Sequence, residues 1–557
     1  MKKTGSIIFT VLMLVSWNVF SQASAPFTKG VVFATWFDPR NRNSVQEIPF
    51  GRFVEQDFVD LKKLGIDVIR LAIHFEAFTS AAPRYIIDPF FFKLLDKAVD
   101  WAEKYQIYII FVNGAPDEEP VIDNSYRSFL LSIWTQMAEH YKNRSEYVIY
   151  EILNEPAEIA AEDWGKMQGD VIDAIRKIDK NHWIVVSGVE WSAVKTLSLL
   201  PNYTDKKLLY TFHFYDPDIF THQGAGWMES PVVYLTGVPF PYDKNRMPKI
   251  PKEVKGTWVE NKLQNYSTIG TEAELAKIID QAADFAKQRN VPVFCGEFGV
   301  YMRNSPPKDR VRWHQFVREA FEARNIPWVI TGYDGPFGIL NPPNGVNVYS
   351  FNSFKGDINT DLNVELVRAL GLNPPPQVQK EQLKTDFTIY NDYLNYPIWY
   401  SSKEHIVNTF YTPSAEGEYA IQWGNINRKN DELSIGITPI RDLTYLAQNG
   451  FVLEFKAKTA KPLSFIAYFV ADQNNTNWII QYTIDQKQLT PDGQWHTIRI
   501  PLRDMQVFGG FDKTKRVTVK PKSKNISWVN VTALTFQTLN EDGDVCEIFL
   551  DSIKVTK

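Results

Sequence analysis

Two glutamates stand in settings that suit acid–base chemistry. Glu155 lies in Tyr150-Glu151-Ile152-Leu153-Asn154-Glu155-Pro156, and Glu297 in Val293-Phe294-Cys295-Gly296-Glu297-Phe298-Gly299. Each follows a short apolar run of strand-like composition, so both carboxyl groups are placed at strand ends. Two carboxyl groups on opposite sides of a pocket can cleave a glycosidic bond. One is kept protonated and donates to the leaving oxygen; the other stays ionised and attacks the anomeric carbon. A lone glutamate at a strand end is as readily a solvated surface group, so the pair carries the inference. Arg70, in Val68-Ile69-Arg70-Leu71, offers a guanidinium that would lower the pKa of a nearby carboxylate. His213 and Tyr215, in Phe212-His213-Phe214-Tyr215, are two residues apart and share one face of a strand.

The elements that must position these groups are legible in the apolar pattern. Runs rich in Val, Ile, Phe and Tyr occur at 30–37, 68–73, 107–112, 148–153, 183–187, 208–214, 292–295 and 328–331. Such uninterrupted runs suit strands buried on both faces. Amphipathic helical stretches lie between them, at 53–64, 90–104, 126–141, 164–178, 272–289 and 310–323. Eight strands alternating with helices predict a TIM (β/α)8 barrel over 26–376, with both glutamates facing one pocket at the C-terminal strand ends. The rival, a doubly wound sheet, lacks its glycine-rich fingerprint after the first strand. The connection 215–270 is long and rich in Gly, Pro and aromatics, and long structured loops are usually functional.

After Asn373-Pro374-Pro375-Pro376 the pattern changes. Residues 377–386 read as a linker between separately folding modules. Short alternating runs at 451–457, 464–470, 478–484, 496–500, 533–537 and 548–555, with no helix of normal length, predict an antiparallel β-sandwich (jelly roll) over 387–557.

With both motifs in hand, residues 33–372 resemble glycoside hydrolase family 5. The resemblance implies a retaining mechanism with Glu155 as acid/base and Glu297 as nucleophile. It further implies that Asn154 holds a sugar 2-hydroxyl, Arg70 keeps the nucleophile ionised, and His213 and Tyr215 order the two carboxylates. Two positions depart from the family pattern. Asn113 stands where a histidine usually ends the third strand, and Thr331 where a tryptophan ends the eighth. Asn113 can still bond a hydroxyl, whereas Thr331 cannot stack, so Tyr333, Trp36 or Trp227 must supply a ring. Trp191 and Trp227 are candidate sugar platforms, and His222 either contacts sugar or braces its loop. The substrate implied is a β-1,4-glucan, with β-mannan, xyloglucan or mixed-linkage glucan as alternatives, and an inactive glycan-binding barrel as a third reading.

The second half resembles jelly-roll carbohydrate-binding modules, carried by Phe451–Lys458, Asp492-Gly493-Gln494-Trp495-His496 and Phe549-Leu550-Asp551-Ser552-Ile553. Trp399, Trp423, Trp478, Trp495 and Trp528 are its rings, with Trp495 expected in the core. Folds of this kind often hold a structural calcium through oxygen ligands, and Asp551 is the candidate ligand. A non-binding spacer is the other reading of this half.

Composition closes other routes. With 557 residues the chain exceeds one core. A net charge of −5 without a basic run argues against nucleic acid. No His-Glu-x-x-His, P-loop or Gly-x-Ser-x-Gly motif appears, so the expected catalysis needs no cofactor. Lys2 and Lys3, the apolar run 7–19 and the small residues 21–25 read as an export signal over 1–25, cut after Ser21 or at Ala23-Ser24-Ala25. That run is too short for a bilayer span. The expected destination is secreted, periplasmic or cell-surface. Cys295 and Cys546 are the only cysteines and fall in different predicted domains, so no disulfide framework is expected. Oligomeric state leaves no signature in the sequence.

Overall fold

The computed structural model describes residues 23–37, 44–114, 121–228, 231–342, 356–379, 381–521, 527–541, 543 and 545–557. Residues 1–22 of the expected leader lie outside these. Eight parallel strands close a barrel in sequence order. They are β1 (Lys29–Phe37), β2 (Val68–Ile73), β3 (Tyr108–Asn113), β4 (Val148–Glu151), β5 (Trp183–Ser187), β6 (Leu208–Phe214), β7 (Val293–Phe298) and β8 (Trp328–Ile330). The flanking helices bury one stripe each. In Pro89–Tyr105 the buried residues Phe91, Leu94, Leu95, Ala98, Val99 and Ala102 recur at helical spacing, with Asp88 capping the start and proline at the first turn.

Each strand gives one apolar side chain to a plug inside the barrel: Val32, Val68, Ile110, Ile149, Val185, Leu209, Phe294 and Val329, sealed below by Phe27. Side chains two residues further along share that interior face. On β2, β4 and β6 these are Arg70, Glu151 and Thr211, so the polar floor of the pocket rests directly on the apolar plug.

β7 breaks this alternation. Counting from Phe294, strict parity would turn Glu297 outward. In the pairing with β6, however, Phe212 faces Cys295 while the very next residue, His213, faces Glu297. Gly296 is therefore the extra residue of a bulge, and a bulge reverses the facing of the residues beyond it. Glu297 turns inward, and Phe298 packs outside against Trp313 and Phe321 at ring distances of 6.1 and 5.5 Å. A Cβ on Gly296 would stand 2.5 Å from Thr211 Oγ1, so only glycine fits there.

The C-terminal half forms two antiparallel sheets around their own core. One runs Ile398–Tyr400, Glu432–Arg441, Val531–Thr538, Phe465–Gln473, Thr476–Ile484, Gln506–Asp512 and Val517–Val519. The other runs Ile406–Tyr411, Ala420–Ile426, Cys546–Thr556, Val452–Lys458 and His496–Pro501, with Phe387–Tyr390 added against Cys546–Thr556. Trp423 is buried here. Trp495, expected in the core, lies half-buried on the sheet surface, with Lys458 Nζ 5.0 Å from its ring, because its indole is long enough to pack sideways on Phe549.

The two halves are not independent bodies joined by a tether. Phe410 and Tyr419 of the sandwich are buried within the barrel's own apolar cluster, packing on Phe90 at 5.0 and 5.9 Å. Gly51 donates its N–H to the Leu394 carbonyl (2.7 Å), and Thr409 Oγ1 donates to the Gln46 carbonyl (2.7 Å). The expectation of separately folding modules overlooked this, since a proline-rich connector says nothing about what docks beyond it. Phe410→Ala is expected to destabilise the whole chain by about 3 kcal/mol. Calorimetry should show the barrel transition itself moving down. A barrel transition left in place would show that the contact carries no stability.

Candidate active site

Arg70 organises the pocket. It is 1% exposed, and its Nε and Nη2 donate to Glu151 Oε2 and Oε1 at 2.8 and 2.7 Å. This two-pronged contact fixes the guanidinium plane. The remaining donors then point upward: Nη1 to Glu297 Oε1 (2.6 Å) and Nη2 to Asn154 Oδ1 (2.8 Å). Tyr215 donates its hydroxyl to Glu297 Oε2 (2.7 Å) and accepts from Thr331 Oγ1 (2.6 Å). His213 Nδ1 lies 2.6 Å from Glu155 Oε1 and 3.8 Å from Glu297 Oε2. Oxygens of Glu155 and Glu297 and a ring nitrogen of His213 all lie within 4.8 Å of one another.

The electrostatics separate the roles. Burial acts to raise the Glu297 carboxyl, but the His213 and Arg70 charges and the Tyr215 and Arg70 hydrogen bonds outweigh it, holding Glu297 below the usual carboxylate range. Burial acts to lower His213, and the carboxylates of Glu297 and Glu155 reverse this, raising it. Tyr215 is pushed well up, first by burial and then by Glu297, so it remains a hydrogen-bond donor. The same trio has the donor atoms of a metal set. Arg70, at 2.6 Å from Glu297, opposes a cation there.

Glu155 itself adopts the left-handed region, with φ 49°. Such backbone strain in a non-glycine residue is held only where the surroundings demand it. Residues 42–334 match the family described as Cellulase (glycosyl hydrolase family 5). The chain belongs to that family.

Endoglucanase 3 of Fibrobacter succinogenes is 27% identical over 335 residues, covering 56% of this chain and 50% of the relative. The chain thus matches about half the length of that relative. Endoglucanase C of Acetivibrio thermocellus is 26% identical over 324 residues, covering 55% of this chain and 91% of its own length. Among solved structures, Thermotoga maritima Cel5A in complex with cellobiose superposes with a TM-score of 0.50 at 23% identity, over 62% of this chain and 97% of that one, a likeness of fold.

Against the family 5 pattern, several ring and amide positions fall elsewhere than expected. Asn113 is buried, and its amide donates to Tyr126 Oη (3.0 Å), so its side chain braces a helix and is not presented to the cavity. Tyr333 is buried against Phe33 and Phe53, with its hydroxyl 3.3 Å from Asp57 Oδ1. Trp36 is buried too, stacked on Trp101 and donating to the Phe50 carbonyl. Both rings point into the packing between barrel and helices: Trp36 lies beyond a register shift in the β1–β2 pairing between Phe33 and Phe37, which undoes the inward parity it would share with Val32, and Tyr333 follows the end of β8 at Ile330. Trp227 does line the cavity, 41% exposed, its ring edge-on to Tyr301 at 4.8 Å. His222 also lines it. Its ring sits 4.9 Å from Tyr215, its Nδ1 lies 3.0 Å from Thr221 Oγ1, and burial pushes its pKa down to about 4, which suits a neutral brace. Trp191 is 53% exposed in the same cavity, set by three successive left-handed residues, Glu190, Trp191 and Ser192.

Asp551 lies in the sandwich. Its Oδ2 accepts from the backbone N–H groups of Ala415 and Glu416 (2.7 and 2.9 Å), and its Oδ1 from Ser552 N–H (2.6 Å). Donor hydrogens facing both oxygens would oppose a cation, so these residues do not fit calcium. Glu151 is the functional residue that the sequence reading passed over. Its signal was available: a glutamate inside a strand buried on both faces requires a counter-charge.

Proposed function

We propose that the chain is an exported retaining glycoside hydrolase that cleaves β-1,4-linked glucan internally, with the catalytic unit in residues 26–376. The observation that carries this reading is the approach of the Glu155 and Glu297 oxygens to within 4.8 Å across His213. Retaining pairs stand about 5–5.5 Å apart, whereas inverting pairs leave about 6.5–9.5 Å for a water. Two relatives named as endoglucanases support the substrate class. The sequence pattern of residues 1–25 supports export.

The steps follow from the geometry. Glu297, ionised and aimed by Arg70 and Tyr215, attacks the anomeric carbon. The bond to the departing sugar breaks as Glu155 gives its proton to the leaving oxygen. Water then attacks the glycosyl ester, giving its proton to Glu155 and releasing Glu297. Asn154 spends its Oδ1 on Arg70, which leaves its Nδ2 hydrogens as donors for a 2-hydroxyl. Such a bond strengthens toward the transition state.

Thr331 gives its hydroxyl to Tyr215 where the family pattern has a stacking tryptophan. That favours β-mannan or xyloglucan as the second reading. A panel of β-glucans, mannans and xylans with product sizing separates the two, and proton NMR of the first product reports its configuration. The expected result is cleavage of β-glucan to oligosaccharides with β configuration retained. An initial α product would overturn the role of Glu297.

A further inference from the structure

The cavity beside Glu155, about 960 Å³, is at the upper end of sites that hold one small ligand. It extends away from the reacting carbon along two walls. One wall comes from the connection after β5 and carries Trp191, whose N–H is bonded to the carbonyl of Pro156, next to Glu155. The other comes from the long connection after β6 and carries Trp258 and Lys262, on the short helix Trp258–Gln264. Trp258 is 42% exposed there. An indole left half open inside a cavity has apolar surface waiting for a partner.

Each ring stands beside a closed charge pair. Lys195 Nζ meets Glu190 Oε2 at 2.6 Å near Trp191. Lys262 Nζ meets Asp218 Oδ2 at 2.7 Å while lying 4.9 Å from the centre of the Trp258 ring. A ring face plus a carboxylate and an ammonium whose charges cancel offers stacking and hydrogen bonds without selecting an ion. That is the chemistry of an uncharged sugar. The acid/base must stand at the oxygen of the departing sugar, so the space running outward from Glu155 receives the leaving group. Trp191 is tied through its backbone N–H to the residue beside Glu155, whereas Trp258 stands on a helix inserted outside the barrel.

We propose that Trp258 with the Asp218–Lys262 pair forms an outer binding site for a neutral sugar unit of the leaving chain, beyond the unit that Trp191 meets. The proposal rests on the hydrolase reading and gives it a direction: the enzyme grips an extended leaving group, as internal cleavage requires. Uronic-acid polymers gain nothing from such a site.

The test compares two substrates on the full-length protein, a β-1,4-glucan hexasaccharide and an aryl β-cellobioside whose leaving ring is too short to reach Trp258. In Trp258→Ala the ratio of kcat/KM values, hexasaccharide over aryl glycoside, is expected to fall about tenfold, as for loss of one apolar contact. Trp258→Phe should restore most of it. Lys262→Met, which opens the charge pair but keeps the ring, should lower the ratio about threefold and covers the case in which the alanine variant fails to fold. Unchanged ratios in folded variants of an active enzyme overturn the outer site alone. A wild-type protein inert on every β-glycan overturns the hydrolase reading and this site with it.

Discussion

Replacing Glu297 by alanine is expected to lower kcat on a β-glucan oligosaccharide by about 10⁴-fold or more, because it removes the nucleophile of the proposed covalent step. The fold should survive. Arg70 keeps its paired contact with Glu151, and Tyr215 keeps Thr331, so no buried charge is left alone. The space vacated is bordered by the Arg70 guanidinium and the Tyr215 hydroxyl, both suited to an anion. Azide should enter it and attack the anomeric carbon while Glu155 protonates the leaving oxygen. The product is a glycosyl azide of inverted configuration, and turnover is partly restored. Activity close to wild type, or rescue giving the retained azide, would remove Glu297 from the proposed role.

Arg70→Met is expected to destabilise the protein by about 3–5 kcal/mol at neutral pH, since it strands Glu151 and Glu297 without their shared counter-ion. The sign with pH comes from the direction of the Glu297 shift. In the wild type its folded pKa is lowered, so its contribution is fully present above the unfolded value of about 4.3 and is lost as pH falls through the folded one. In the variant, burial is opposed by His213 and Tyr215 only, and the Glu297 carboxyl moves up. The gap in melting temperature between the two proteins should therefore be widest at neutral pH and narrow as the variant's carboxyl takes up a proton. The acid limb of kcat/KM should move toward neutral pH in the same variant. A gap independent of pH, or an unmoved acid limb, would mean that Arg70 does not hold Glu297 ionised.

Features that repeat locally along the chain could be read from its residues without any structure. Eight apolar runs separated by helical stripes specify the barrel, because a strand buried on both faces and a helix buried on one each leave their period in the chain. Glu155 and Glu297 could be found from the apolar runs that lead into them, although β4 itself stops at Glu151, and His213 and Tyr215 from two-residue spacing. The sandwich core strands were legible for the same reason. The strands Phe387–Tyr390, Ile398–Tyr400, Ile406–Tyr411, Ala420–Ile426 and Glu432–Arg441 were not. The first two are only four and three residues long, and the longer ones carry Asn, Gln, Gly or Pro within them, which blurs the strand signal.

Everything that depends on a distant partner was settled by the folded chain instead. Glu297 faces the pocket only because the extra residue Gly296 reverses its strand, and that reversal exists in the pairing with β6. Arg70 aims at Glu297 because Glu151, from another strand, holds the other side of its guanidinium. Asn113, Tyr333 and Trp36 are the right kinds of residue turned to Tyr126, Asp57 and Phe50 instead of sugar. Trp258 is an ordinary helix residue until the chain folds it over the cavity. Side-chain type and spacing are local properties, whereas the direction of a buried side chain is set by whichever neighbour satisfies it, and that neighbour lies far along the chain.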